Sequence, residues 1–125
     1  MVEAYAEYAA SKHVLLVEDN TDLREFLVML LGDAGYAVTD VEDGHAALPL
    51  IATGKYEIFL VDLQLPDVKG SDLIEKARRY GVSFRAILMS ANPEIERFAT
   101  ACHAEGFFFK GEPIQQLLAA LQPVA

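Results

Sequence analysis

Four short apolar runs along the chain each end in a polar residue able to do chemistry. Val14 to Val17 runs into Glu18 and Asp19, Ile58 to Val61 into Asp62, Ala86 to Met89 into Ser90, and Phe107 to Phe109 into Lys110. Runs this short and continuous predict strands buried on both faces, the mark of a parallel sheet covered by helices. Tyr36 to Val41 predicts a further strand. Between the strands the spacing becomes helical. Leu23, Phe26, Leu27, Leu30 and Leu31 fall at i, i+3, i+4, i+7 and i+8, one apolar stripe on a helix from Thr21 to Ala34 that Gly35 ends. Ile95, Phe98, Ala99 and Cys102 repeat the pattern, with Asn92 as cap and Pro93 in the first turn. Ile114, Leu117, Leu118 and Leu121 form a last stripe, and Ser71 to Tyr80 predicts a helix with Leu73, Ile74 and Ala77 inward. Gly44 to Thr53 predicts a short helix that is kinked or begins late, because Pro49 cannot donate an intrahelical hydrogen bond. The alternation βαβαβαβαβα implies right-handed crossovers and helices on both faces, hence a doubly wound α/β fold around a five-stranded parallel sheet.

The length of 125 residues fits one domain, with 13–122 as the folded unit, 1–12 as an extension or linker and 123–125 as a tail. Ten Lys plus Arg against nineteen Asp plus Glu give a formal charge of -9, which argues against direct nucleic-acid contact. Apolar residues at 53% and charged ones at 23% belong to an ordinary packed domain. A single cysteine, Cys102, leaves no internal disulfide and no beginning of a zinc site, so a cytoplasmic, reducing setting is expected. No apolar run approaches the roughly 20 residues that span a bilayer. Met1 to His13 carry Glu3 and Glu7 and lack the pattern of a signal peptide.

In an open parallel sheet, ligands bind beyond the carboxyl ends of the strands. Glu18, Asp19 and Asp62 then converge there, a like-charged cluster that is costly unless a cation sits among them. Hard oxygen ligands favour Mg²⁺, with Mn²⁺ an alternative, and magnesium is usually shared between few carboxylates and phosphate oxygens. A carboxylate such as Asp62 can itself accept a phosphoryl group. Lys110 and the Ser90 hydroxyl are the right types to neutralise the transferring oxygens.

Glu18-Asp19 after the first strand, the segment D-L-Q-L-P-D-V-K-G from Asp62 to Gly70, Ser90-Ala91 and Lys110 together resemble the receiver domain of two-component response regulators, over nearly everything from Lys12 to Leu121. The resemblance implies the flavodoxin-like strand order 2-1-3-4-5. It makes Asp62 the phosphoacceptor and places Mg²⁺ on Glu18, Asp19, Asp62 and the backbone carbonyl of Gln64. Lys110 then contacts the phosphoryl oxygens, Ser90 is the switch hydroxyl, and Ala91 leaves room for the phosphoryl group. Gln64 and Asn92 occupy positions that tune hydrolysis, and Phe107 that of the aromatic whose rotamer follows the switch. The implied partners are a sensor histidine kinase or histidine phosphotransfer protein and a downstream protein bound by the fourth helix, fifth strand and fifth helix. A homodimer is a further implied partner, a membrane is not involved, and no reaction is catalysed beyond the domain's own phosphorylation and dephosphorylation. With no effector after Ala125, the chain reads as a stand-alone receiver or one taken from a longer protein.

Two departures stand out. The family usually has proline directly after the lysine, whereas here Gly111 and Glu112 precede Pro113, which predicts a looser Lys110 and a competing carboxylate at Glu112. Phe107 replaces the commoner tyrosine, so switching there must work by packing alone. The displaced proline supports an alternative of another class, a degenerate receiver that binds partners without phosphorylation. An aspartate-nucleophile phosphatase would want an acid where Gln64 stands, and a nucleotide-binding loop would not read E-D-N-T-D. Other features have plainer readings: Cys102 as a packed thiol, Arg78 and Arg79 as a solvated face, and His13, His45 and His103 as ordinary boundary histidines. The uncharged last helix offers a partner surface.

Overall fold

A computed structural model describes residues 12–123. Its elements are β1 (His13–Val17), α1 (Thr21–Asp33), β2 (Ala37–Val41), α2 (Gly44–Ile51), β3 (Ile58–Asp62), α3 (Gly70–Arg79), β4 (Arg85–Ser90), α4 (Ile95–Ala101), β5 (Gly106–Phe109) and α5 (Gln115–Leu121). The five strands form one parallel sheet in the order β2-β1-β3-β4-β5. The extension through residue 11 lies outside the described residues. Among the described residues, no helix is long and apolar enough to cross a membrane.

Alternation along each strand builds two cores. Leu15, Val17, Phe59, Val61 and Leu88 face α2, α3 and α4 through Ala47, Ile51, Leu73, Ile74, Ala77, Ile95 and Ala99. Val14, Leu16, Ile58, Leu60, Ile87, Met89 and Phe108 face α1 and α5 through Leu27, Leu31, Leu117 and Leu121. The central strands β1 and β3 are therefore buried almost throughout, as continuous apolar runs require.

The ends of the helices follow local chemistry. Asn20 caps α1 by accepting from Leu23 N–H at 2.9 Å, and Gly35 closes its far end at φ +98°. Asp43 caps α2, accepting from Ala46 N–H at 2.8 Å. That cap starts the helix at Gly44, so the helix does not begin late; Pro49 lies inside it and leaves the His45 carbonyl without its usual donor.

Three local expectations are corrected. Asn92 does not cap α4 directly: its Oδ1 accepts from Glu94 N–H at 2.9 Å and its carbonyl from Ile95 N–H at 3.1 Å, so Asn92 and Pro93 form a turn ahead of the helix. Phe107 to Phe109 do not form a strand buried throughout, because β5 is an edge strand: Phe108 is buried while Phe107 is 40% exposed. Arg78 is not simply solvated. It pairs with Glu105 at 2.9 Å, donates to the His103 carbonyl at 2.7 Å and lies over the Phe84 ring. Cys102 is buried as expected, and burial pushes its thiol above the ordinary value.

Candidate functional site

The carboxyl ends of β1, β3 and β5 bring one carboxylate-rich cluster together. Carboxylate oxygens of Glu18, Asp19 and Asp62 all lie within 4.8 Å of one another, with Glu18 and Asp62 buried and Asp19 exposed. Lys110, directly after the edge strand β5, reaches past the end of β4 to the ends of β3 and β1. Its Nζ donates to Glu18 Oε1 and to Asp62 Oδ2, each at 2.8 Å. Among the described residues the ion pairs of Lys110 are with Glu18 and Asp62, and none is formed with Glu112. The turn after it is closed by Glu112 N–H donating to the Phe109 carbonyl at 2.9 Å, while Lys110 N–H donates to the Ser90 carbonyl at 2.8 Å. These bonds fix the lysine backbone without a proline at the next position.

Burial raises the Glu18 carboxyl above its ordinary value, and bonds from Lys110 and from Asn20 N–H at 3.1 Å recover only part of that. Burial alone would lower the Lys110 ammonium, but hydrogen bonds and charge from Asp62 and Glu18 prevail and hold it above its ordinary value. Asp62 Oδ1 accepts from Gln64 N–H at 3.1 Å, so its two oxygens are held from different sides. Gly70 crosses directly over the Asp62 carbonyl, where any Cβ would collide with it. Ser90 is buried, and its hydroxyl oxygen accepts from Asn92 N–H at 3.0 Å. Ala91 and Asn92 follow it in the β4–α4 turn. Phe107 points outward, away from this cluster, beside a groove of about 560 Å³ also lined by Phe109, Glu112, Gln116, Ala119 and Ala120.

Arg24 is a site residue that sequence reasoning missed. Its guanidinium donates to the Glu18 carbonyl at 2.8 Å and pairs with Asp40 at 3.1 Å, which anchors the acidic loop to β2. The available signal was a lone cation on the first turns of a helix that follows two acids.

Within the cluster, three carboxylates and one ammonium leave two negative charges uncompensated. A hard dication with oxygen ligands fits that charge and that donor set. Residues 14–122 match the family described as the response regulator receiver domain. The chain belongs to that family. The receiver domain is 30% identical to the probable transcriptional regulatory protein SilR of Salmonella typhimurium over 111 residues, covering 87% of this chain and 49% of SilR. It thus spans about half of that relative. Over 66 residues it is 36% identical to the response regulator receiver protein CpdR of Brucella abortus, covering 53% of this chain and 55% of CpdR. The chemotaxis protein CheY4 of Vibrio cholerae superposes with a TM-score of 0.80 at 25% identity, over 89% of this chain and 96% of that one. A response regulator from Burkholderia pseudomallei, solved with a phosphorylated aspartic acid, a calcium ion and citrate, superposes with a TM-score of 0.78 at 27% identity, over 89% of this chain and 66% of that one.

Proposed function

We propose that this receiver domain accepts a phosphoryl group on Asp62 from a histidine kinase or phosphotransfer protein, with Mg²⁺ or Mn²⁺ at the acidic cluster, and regulates a protein partner through the resulting change of shape. The observation that carries this reading is the Lys110 ammonium at 2.8 Å from both Glu18 and Asp62, with Asp19 completing the cluster. Glu18, Asp19, Asp62 and the Gln64 backbone carbonyl would hold the metal, which neutralises phosphoryl oxygens when bound. A carboxylate oxygen of Asp62 attacks phosphorus, the P–N bond of the donor phosphohistidine breaks, and the imidazole nitrogen leaves with its electron pair and is protonated. Gln64 N–H orients the attacking carboxylate. Lys110 already stands where charge accumulates on the transferred group.

Once a dianionic group sits on Asp62, Lys110 and the Ser90 hydroxyl are drawn to its oxygens. Ser90 then gives up its role as acceptor for Asn92 N–H, and the β4–α4 turn moves with it. Phe107, now outward on the edge strand, gains room to pack inward and reshapes the face of α4, β5 and α5, where the downstream partner binds. Ala91 leaves the phosphoryl group space, and Gln64 and Asn92 set how readily water reaches it. The domain catalyses only its own phosphorylation and dephosphorylation.

The test is intact mass after incubation with Mg²⁺ and acetyl phosphate. A gain of about 80 Da, one phosphoryl group, that disappears with Asp62→Ala and with EDTA is the expected result. No gain, together with no beryllofluoride binding, overturns the proposal in favour of a phosphorylation-independent interaction module.

A further inference from the structure

The loop from Leu63 to Lys69 leaves Asp62, supplies the Gln64 positions and returns over the Asp62 carbonyl at Gly70. Within the loop, Gly70 N–H donates to the Leu63 carbonyl at 2.7 Å, and Gln64 and Lys69 pair as an isolated bridge. These contacts fix the base of the loop but leave its tip, Pro66 to Val68, to be held by something else. That support is α2. Asp67 Oδ1 accepts from Gly44 N–H at 3.0 Å and Oδ2 from His45 N–H at 2.8 Å, across 23 and 22 residues of sequence. The third amide of the same helix start, Ala46 N–H, goes to Asp43 instead. Two carboxylates therefore share three orphan donors, one local and one from the loop. A Cβ at Gly44 would collide with the Val68 side chain, so the close seat of the loop on the helix start requires glycine there. Burial opposes ionisation of Asp67, but the Gly44 and His45 amides outweigh it and hold the carboxyl below its ordinary value.

The start of α2 is in turn tied to the other half of the acidic cluster. Val41, at the end of β2, accepts through its carbonyl from Glu18 N–H at 3.1 Å, and only Glu42 and Asp43 separate it from Gly44. A closed circuit results: Asp62, the loop, Asp67, the first turn of α2, Val41, Glu18, Lys110 and back to Asp62. We infer that Asp67 is a positioning residue for the acidic site, setting the distance between the Gln64 carbonyl and Asp62 on one side and Glu18 on the other. The inference deepens the proposed metal-assisted phosphoryl transfer and rests on it.

The matched variants Asp67→Ala and Asp43→Ala test this, since each removes carboxylate capping from the same helix end and only the first releases the loop. Mg²⁺ dissociation constants from NMR titration of each whole chain, with amide exchange at Gln64 and Gly70, give readouts independent of phosphorylation. Asp67→Ala should weaken Mg²⁺ binding about tenfold, the low end for groups that orient metal ligands, and speed exchange at both amides. Asp43→Ala should stay within about twofold of wild type despite a comparable loss of stability, and Asp67→Asn, which keeps one acceptor oxygen, should fall between. Equal Mg²⁺ affinity in Asp67→Ala and wild type overturns the inference alone, as do equal losses in the two alanine variants. Absence of Mg²⁺ binding by the wild-type chain overturns it together with the functional reading beneath it.

Discussion

Lys110 is the residue on which the acidic cluster depends in the absence of a metal. It is one cation shared by two buried carboxylates, and both oxygens it contacts are 2.8 Å away. Removing one partner of a buried pair leaves the other charges uncompensated, which costs more than the pair itself contributes. Lys110→Ala should therefore lower stability in EDTA by about 2 kcal/mol in urea unfolding, below the full value for buried pairs because the lysine is 22% exposed. Part of that loss should return when Mg²⁺ is added, since the dication replaces the missing charge, while phosphoryl acceptance from acetyl phosphate stays slow. Lys110→Arg tests geometry at constant charge: a planar fork cannot reproduce one nitrogen placed between two oxygens, so recovery should be incomplete. Full activity in Lys110→Arg would show that charge alone is required.

At the scale of the element, α2 carries a visible contradiction. Pro49 sits inside an eight-residue helix on an exposed face, where it withholds a donor from the His45 carbonyl. Pro49→Ala restores that hydrogen bond, offset by the extra freedom alanine gives the unfolded chain. A net gain of about 1 kcal/mol, or roughly 3–5 °C in Tm, is expected by calorimetry; an unchanged or lower Tm would show that the proline is accommodated without cost. The same helix start supplies a pH dependence. The Asp67 carboxyl is held below its ordinary value when folded, so its stabilisation is present above the unfolded value near 3.8 and is lost as pH falls through the lower folded value. The stability difference between wild type and Asp67→Ala should be constant from neutrality to about pH 5 and shrink below pH 4. A difference that persists unchanged to pH 2 would mean the amides are satisfied in some other way.

These elements also mark where sequence could and could not be read. Val14 to Val17 and Ile58 to Val61 were legible as central strands because a strand covered on both faces needs an unbroken apolar run, and few other structures do. The site was legible for the same reason: each candidate residue stands where such a run stops, so locating the strand end locates Glu18, Asp62, Ser90 or Lys110. Phe107 to Phe109 misled because an edge strand can carry the same run for a different purpose, with Phe107 left outward. Arg24, Arg78 and Asp67 were illegible in a stronger sense. Their partners, Asp40, Glu105 and the Gly44 and His45 amides, lie 16 to 27 residues away, and a single charged residue carries no periodicity that would announce them.

For the molecule as a whole, the acidic site is built against stability. The chain carries a formal charge of -9, and three of its carboxylates are concentrated at one end of the sheet with one ammonium among them. Repulsion there is relieved only in part by Lys110, so a substitution that removes a carboxylate without touching the lysine should stabilise the metal-free fold. Asp19 is the suitable position, since it is exposed and neither of the lysine's two bonds goes to it. Asp19→Asn should raise the unfolding free energy in EDTA by roughly 0.5 kcal/mol, a small amount because solvent screens an exposed charge. With Mg²⁺ the order should reverse. Binding to the folded state alone stabilises wild type by about 2.7 kcal/mol at a hundredfold excess over Kd, and the variant, short of one ligand, should gain far less at the same concentration. Denaturant unfolding of both proteins with EDTA and with Mg²⁺ gives all four values. If Asp19→Asn is less stable than wild type in EDTA, the three carboxylates are not in net repulsion and the loop beyond β1 is held by Asp19 itself; if Mg²⁺ stabilises both proteins equally, Asp19 is not a ligand.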